Sequence, residues 1–118
     1  MKRNWDVIRK IMIKLEAIPT ESGQLESDDI HGVDNETAFY HMRMMIEAGL
    51  AVGDCPETLG ECEGYLLRLT WDGHEFLDSI RRDAVWNKIK ETAKKKSIDL
   101  SVYTIKTAAK AIISNLLM

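Results

Sequence analysis

The fold of this chain is decided by two stretches, Tyr40-His-Met-Arg-Met-Met-Ile-Glu-Ala-Gly-Leu50 and Tyr65-Leu-Leu-Arg-Leu-Thr-Trp-Asp-Gly-His-Glu-Phe-Leu77. The first has the apolar spacing of an amphipathic helix that ends at a glycine and is followed by an apolar strand. The second predicts a returning strand that runs directly into another helix. Helix, strand, loop, strand and helix in this order predict an α+β fold built on a winged-helix-like domain.

The segment before these stretches predicts a helix, a short strand and one turn. Apolar residues recur at helical spacing from Asn4, a good N-cap, to about Ala17. Residues 24–27 fit a short first strand. Residues 28–34 are interrupted by Gly32 and leave room for about one helical turn. The second helix of the domain is therefore expected to be shortened or missing.

A recognition-type helix and a two-stranded wing are predicted next. Asn35 is expected to cap the helix, because asparagine accepts hydrogen bonds from the first free backbone N–H groups. Residues 50–52 and 65–69 form the two predicted strands of the wing. In the second strand, Leu67 and Leu69 alternate with an arginine, so both leucines are expected to face the core.

The rest of the chain predicts three further helices. Thr70 is expected to cap the first, Asp83 the second, and the last begins at Ser101. The predicted domain organisation is a winged-helix-like core at residues 1–82 and a C-terminal helical extension at residues 83–118, packed on the same domain.

Charge is distributed unevenly along the 118 residues, although the net charge is only −3. Residues 1–20 have five Lys/Arg against two Asp/Glu, and residues 65–118 have ten against six. Residues 21–64 have Arg43 alone against eleven Asp/Glu. This acidic block covers the region where a winged helix normally meets DNA. Because affinity for DNA depends on neutralised phosphates, residues 21–64 disfavour double-stranded DNA as a partner.

The sequence predicts a cytoplasmic protein without a membrane partner. No apolar run approaches the roughly 18 residues that cross a bilayer, and the N-terminus lacks the apolar stretch of a signal peptide. Cys55 and Cys62 are too few for a disulfide framework and are expected to stay reduced.

The exposed face of the recognition-type helix and the wing provide the candidate macromolecule-contact residues. In a DNA-binding protein, side chains of the helix would touch base edges and an arginine of the wing would touch phosphate. The alternative is that these are ordinary surface or half-buried residues. The candidates are Thr37, Tyr40, His41, Arg43, Met44, Glu47 and Arg68.

Neither a metal site nor a catalytic site is predicted. Cys55 and Cys62 are separated by six residues, whereas structural zinc sites use close cysteine pairs. Asp72, His74 and Glu75 fall in the first turn of a predicted helix, where acids interact with the helix dipole. The chain has no phosphate-binding glycine loop and no nucleophile motif. We therefore expect no enzyme activity and no cofactor.

Four sequence blocks form a distinctive set: Met1-Lys-Arg-Asn-Trp-Asp-Val-Ile-Arg-Lys10, residues 40–50, residues 68–78 and Val85-Trp-Asn-Lys88. With these blocks the chain resembles a bacterial and prophage family, the domain of unknown function 2513 family. The resemblance implies no particular activity. At the level of fold alone, His41 to Leu50 also looks like the end of the recognition helix in small bacterial repressors, and such a likeness does not establish function.

These observations predict a non-catalytic regulator or adaptor of mobile-element (prophage) type that binds a protein partner. The acidic residues 21–64 suit a basic partner surface. Self-association as a dimer through the apolar C-terminal helix is left open. The alternatives are a sequence-specific DNA-binding transcriptional regulator and an acidic decoy that occupies a nucleic-acid-binding protein.

Overall fold

The computed structural model describes residues 1–57 and 60–117, apart from the side chain of Leu116. The described residues form α-helices, short strands and one 3₁₀ turn. In chain order they are α1 (Trp5–Glu16), β1 (Leu25–Glu26), the 3₁₀ turn Ser27–Asp29, α2 (Asn35–Glu47), β2 (Ala51–Asp54), β3 (Tyr65–Leu69), α3 (Trp71–Ile80), α4 (Asp83–Lys96) and α5 (Val102–Leu117). The predicted α+β class is confirmed, and the turn Ser27–Asp29 lies near the stretch for which about one helical turn is predicted.

The chain divides into two compact units, Met1–His74 and Glu75–Met118. The division falls within α3, before the predicted boundary at residues 82 and 83. That boundary, the packing of the C-terminal extension and the winged-helix assignment stay predictions. Among the described residues, no helix combines the length and the apolar character needed to span a bilayer.

A three-stranded antiparallel sheet lies in the first unit, with β3 in the centre and β1 and β2 at its edges. Leu25 of β1 pairs with Leu66 of β3, which confirms the short first strand. α1 packs on α2 and on β3, and α2 also contacts β2. The core of this unit is therefore apolar side chains from two helices against one face of the sheet, including Ile11, Met12 and Met42.

The caps of α1 and α2 show where local prediction succeeds and where it fails. Asn4 caps α1 as expected, because its Oδ1 accepts the N–H groups of Asp6 and Val7 at 2.9 and 3.3 Å. The cap of α2 is Asp34 and not Asn35, because the Asp34 carboxylate accepts the Thr37 N–H at 3.1 Å. The Thr37 hydroxyl and then its N–H lower the pKa of Asp34 by donating to the charged form.

The predicted cap of α4 is displaced in the same direction, by one residue towards the N-terminus. Asp83 is the first helical residue of α4, and the N-cap position belongs to Arg82, which makes no side-chain capping hydrogen bond. Asp83 instead places a negative charge in the first turn, where the helix dipole favours it. The predicted break before α4 is confirmed.

The turn from β3 into α3 depends on close approach of two backbone segments. Thr70 caps α3 as expected, because its Oγ1 accepts the Gly73 N–H at 3.0 Å, and the same hydroxyl donates to the Gly49 carbonyl at 2.6 Å. Gly49 ends α2 with φ of 75°, a conformation that glycine adopts without penalty. A Cβ on Gly73 would lie 2.0 Å from the Leu50 carbonyl oxygen, so only glycine fits there.

A β-bulge overturns the predicted alternation along β3. The register shifts between Val52 and Gly53, which pair with Arg68 and Leu66, so Leu67 is the extra residue. Leu66 is 0% exposed, whereas Leu67 is 37% exposed. The expectation that Leu67 faces the core is therefore wrong, because the inserted residue moves the preceding leucine onto the buried face.

The second unit contains the antiparallel helices α4 and α5. Ser97 ends α4 in the left-handed conformation, with φ of 51°. In α5 the buried residues include Ile105 and Ala109, whereas Ile113 and Leu117 are exposed. The predicted apolar stripe is therefore only partly buried, and Met118 lies outside the described residues.

The two leucines at the bulge give a matched test of this register. We expect Leu66→Ala to lower the free energy of unfolding by about 2–5 kcal/mol, because it removes a fully buried side chain. Leu67→Ala should change it by less than about 1 kcal/mol, since the side chain is partly in water. Urea denaturation followed by circular dichroism measures both. A larger loss of stability for Leu67→Ala than for Leu66→Ala would contradict the bulge and support regular alternation along β3.

Candidate macromolecule-contact surface

The seven predicted contact residues differ in exposure. Glu47 on α2 and Arg68 on β3 are exposed, and His41 is buried. The half-buried members of the set, all on α2, are Thr37, Tyr40, Arg43 and Met44. The predicted exposed face of α2 is therefore mostly covered. Arg68 does not belong to this helix, because it lies on β3, where it pairs with Val52 of β2.

His41 is a structural residue and not a contact residue. It is 0% exposed, and its Nε2 accepts the backbone N–H of Asn4 at 2.8 Å. Its Nδ1 lies 2.8 Å from the Thr37 carbonyl oxygen and donates to it. Both ring nitrogens are satisfied by backbone groups, one at the start of α1 and one within α2. The expectation that His41 is exposed is wrong, and its spacing from buried Ala38 and Met45 was the signal for burial.

Thr37 and Tyr40 are also engaged within the first unit. The Thr37 hydroxyl donates to Oδ1 of Asp34 at 2.7 Å, so it completes the cap of α2. The Tyr40 ring meets the His41 ring edge to face, with centroids 5.8 Å apart. These contacts orient both side chains along α2.

Arg43 holds the loop between β2 and β3, and its role as a macromolecule contact stays a prediction. Its Nε donates to the Cys55 carbonyl and its Nη2 to the Pro56 carbonyl, both at 3.2 Å. The guanidinium lies 4.9 Å from the centre of the Phe39 ring and 3.7 Å from the Glu57 carboxylate. Arg43 is the single Lys/Arg of the acidic residues 21–64, and its guanidinium makes these contacts within the protein on several sides.

Other cations of the first unit also make internal contacts. Lys10 of α1 donates to the His31 carbonyl oxygen, and the Arg3 guanidinium lies 4.4 Å from the centre of the Trp5 ring. This unit has seven Lys/Arg against fourteen Asp/Glu, a net charge of −7. The phosphate-neutralising surface that duplex DNA requires is therefore poorly developed in Met1–His74.

An acidic cleft, which the sequence did not single out as a site, lies beside the 3₁₀ turn and the start of β3. Its volume is about 550 Å³. Buried Ser27 forms its floor, with Oγ 2.5 Å from Asn35 Oδ1 and 3.0 Å from the Cys62 carbonyl oxygen. Asn35 donates to the same carbonyl at 3.1 Å. The acidic residues that line the cleft are Glu26, Asp28 and Glu63.

The carboxylates beside this cleft already have a structural role. Oxygen atoms of Glu26, Asp28 and Asp29 lie within 4.8 Å of one another, and all three residues are exposed. Glu26 and Asp29 form a capping box around the 3₁₀ turn, in which the Glu26 N–H donates to Asp29 Oδ2 at 2.8 Å. Among the described residues, this is the only cluster with metal-ligand spacing, and it contains no cysteine or histidine.

Cys55 and Cys62 are free thiols in the β2–β3 loop. Cys55 is buried, and burial raises the pKa of its thiol. A protonated, buried thiol is a poor nucleophile. The geometry at Cys55 therefore supports packing rather than covalent chemistry.

The fold and these contacts define a small α+β protein whose first unit is acidic and whose α2 helix makes mainly internal contacts. Over residues 2–99 the chain matches the family described as "Hypothetical protein (DUF2513)", and it belongs to that family. The resemblance seen in the sequence is thereby confirmed. An uncharacterized protein of Haemophilus influenzae is 47% identical over 117 residues, which cover 99% of each chain. No solved structure matches this chain.

The hydrogen bonds of His41 predict a large cost for its removal. His41→Leu should lower the free energy of unfolding by about 1–3 kcal/mol, because it removes the side-chain acceptor of the Asn4 N–H and the side-chain donor to the Thr37 carbonyl. His74→Leu is the matched control, because His74 is exposed and its contact with Glu16 is long, at 3.9 Å. The control should change stability by less than about 0.5 kcal/mol. Equal urea midpoints for the two variants would show that the His41 contacts contribute nothing.

Proposed function

We propose that this protein is a non-catalytic regulator or adaptor, of mobile-element (prophage) type and cytoplasmic, that binds a basic surface of a protein partner through Met1–His74. The observation that carries the proposal is the net charge of −7 on this unit together with the internal contacts of Arg43. A strongly acidic surface attracts a basic partner, raises its association rate and repels phosphate. The mobile-element setting is proposed from the family resemblance alone.

The acidic cleft is the part of this surface best shaped for a partner. Its polar floor is organised by the hydrogen bonds of Ser27 and Asn35, so it does not need to reorganise when a ligand enters. Exposed Glu26, Asp28 and Glu63 around it supply charge for lysine or arginine side chains. We therefore place the centre of the proposed interface at this cleft.

A DNA-binding transcriptional regulator is the second candidate, and one observation favours it. Glu75–Met118 has nine Lys/Arg against five Asp/Glu, a net charge of +4. A DNA-binding surface on this protein would therefore involve the lysine-rich α4 rather than the predicted recognition-type helix α2. Arg68 on the wing would be an additional phosphate contact.

Titration of the full chain against pooled duplex DNA separates the two candidates. Specific protein–DNA complexes have dissociation constants of about 10⁻⁸ M or tighter at physiological salt. We expect fluorescence anisotropy to detect no submicromolar binding under that condition. Submicromolar binding would favour the DNA-binding candidate, and Lys94→Gln compared with Arg68→Gln would then identify the unit responsible.

Charge variants test the cleft in a second experiment. The full chain is immobilised, and the proteins it retains from a lysate of its host are quantified at physiological salt. The cleft variant carries Glu26→Gln, Asp28→Asn and Glu63→Gln. The matched control removes three exposed carboxylates elsewhere, with Glu21→Gln, Asp72→Asn and Asp99→Asn.

We expect a basic, stoichiometric partner to be retained by the wild type and the control, and retained about tenfold less by the cleft variant. Equal retention by all three proteins would contradict the cleft as the interface. Loss with both variants would indicate nonspecific attraction by net charge. Retention that requires nucleic acid, shown by nuclease treatment, would favour the decoy or DNA-binding alternatives over direct protein binding.

A further inference from the structure

An apolar groove lies between α4 and α5, in the second unit. Its main depression has a volume of about 280 Å³. Ile89 and Ala93 of α4 form one wall, and Ala108 and Ala111 of α5 form part of the other. Small side chains on α5 leave room beside the helix backbone, so a bulky apolar side chain can enter. We name this depression, together with the second one described next, the α4–α5 groove.

The second depression continues the groove towards the start of α4. It is lined by Val85 and Lys88 of α4 and by Ile112 and Asn115 of α5. Val85 and Lys88 precede Ile89 and Thr92 by four residues, so they lie on the same stripe of α4. The apolar surface therefore follows the helix pair along several turns, which is the shape that receives one face of an amphipathic helix.

Two exposed apolar side chains stand at the other end of the groove. Ile98 is 48% exposed and Tyr103 is 77% exposed, and both line the main depression. The backbone that carries them is hydrogen-bonded, because the Ile98 N–H donates to the Ala93 carbonyl at 2.9 Å and Ser101 Oγ accepts the Thr104 N–H at 3.1 Å. Aromatic and aliphatic side chains on an ordered backbone are typical anchors of protein interfaces.

The rim of the groove is positively charged. On α5, Lys110 follows the lining residue Thr107 by three positions, and the helix has no Asp or Glu. α4 has five lysines against Asp83 and Glu91, and Glu91 is ion-paired with Lys95 at 3.0 Å. Lys88 itself lines the second depression. By helical spacing, Lys96 follows Thr92 by four residues and lies on the groove side of α4.

We propose that the α4–α5 groove binds an acidic amphipathic helix of a protein partner. The apolar face of that helix would fill the depressions, and its flanking carboxylates would meet Lys88, Lys96 and Lys110. A second copy of this chain is the less suitable occupant, because two α4–α5 pairs would bring like charges together. This site is separate from the acidic cleft, so the protein would connect a basic partner to an acidic one.

A peptide selection on the full chain tests this proposal. The library contains helical peptides of roughly 18 residues, about five turns, with large apolar residues at helical spacing and flanking positions drawn evenly from Glu, Lys, Gln and Ser. Selection is made on the wild type and on a groove variant, Ile98→Ser with Tyr103→Ser. Both replaced side chains are exposed, so the variant should fold. Its control replaces two exposed apolar residues elsewhere, with Ile13→Ser and Leu67→Ser.

The expected result is a set of glutamate-flanked peptides that bind the wild type and the control alike. Their dissociation constants, measured by fluorescence anisotropy, should be about tenfold higher or more for the groove variant. They should rise by a similar factor for a charge variant with Lys88→Gln, Lys96→Gln and Lys110→Gln. A control with Lys2→Gln, Arg3→Gln and Lys14→Gln should leave them unchanged. Binding should weaken as salt is added.

Three outcomes would overturn the proposal. The first is a selection in which no peptide distinguishes the wild type from the groove variant. The second is enrichment of lysine-flanked or uncharged peptides, which would remove the acidic character of the occupant. The third is a wild-type dimer in sedimentation that the groove variant converts to a monomer, because a second copy would then fill the groove. Each outcome is independent of the acidic cleft, whose own variants are tested with its basic partner.

Discussion

The imidazole of His41 lies between α1 and α2 and is hydrogen-bonded to the backbone of both helices. One nitrogen accepts from Asn4, the residue that also caps α1, so the start of that helix is fixed by a side chain of α2. α1 in turn packs on β3, the central strand of the sheet. A buried polar group requires its partners, so this link ties the start of α1 to α2. The apolar core of the first unit is organised around that link.

The order of elements follows from local signals in the sequence. Asn4 and Thr70 cap helices through hydrogen bonds to residues two or three positions away, and Gly49 supplies a backbone conformation that its own position requires. Both partners of such an interaction lie within a few residues of each other, so the sequence indicates it before the fold is known. The choice between Asp34 and Asn35 is different. Both residue types are good N-caps. The Asn35 side chain instead donates to the Cys62 carbonyl, which is distant in sequence.

The contact residues were harder to predict because their partners are distant in sequence. An arginine on the predicted exposed face of a helix has the chemistry of a phosphate ligand, and only the fold brings the carbonyls of Cys55 and Pro56 to Arg43. The prediction that Leu67 faces the core failed for a related reason. The bulge arises from the pairing of β3 with β2, and the sequence of β3 alone does not indicate it. His41 is the exception, because its helical spacing from buried residues already indicated burial.

The bulge also determines how other chains can approach the sheet. The edges of a sheet offer unpaired backbone groups that can template an additional strand from a neighbouring molecule. Here one edge, β1, has two residues, and the other, β2, has four residues with its register interrupted at Val52 and Gly53. Such short, irregular edges present no continuous ladder for strand addition. A partner of the kind proposed for this unit would therefore be recognised by side-chain shape and charge rather than by extension of the sheet, and the same short edges disfavour edge-to-edge aggregation of the folded protein.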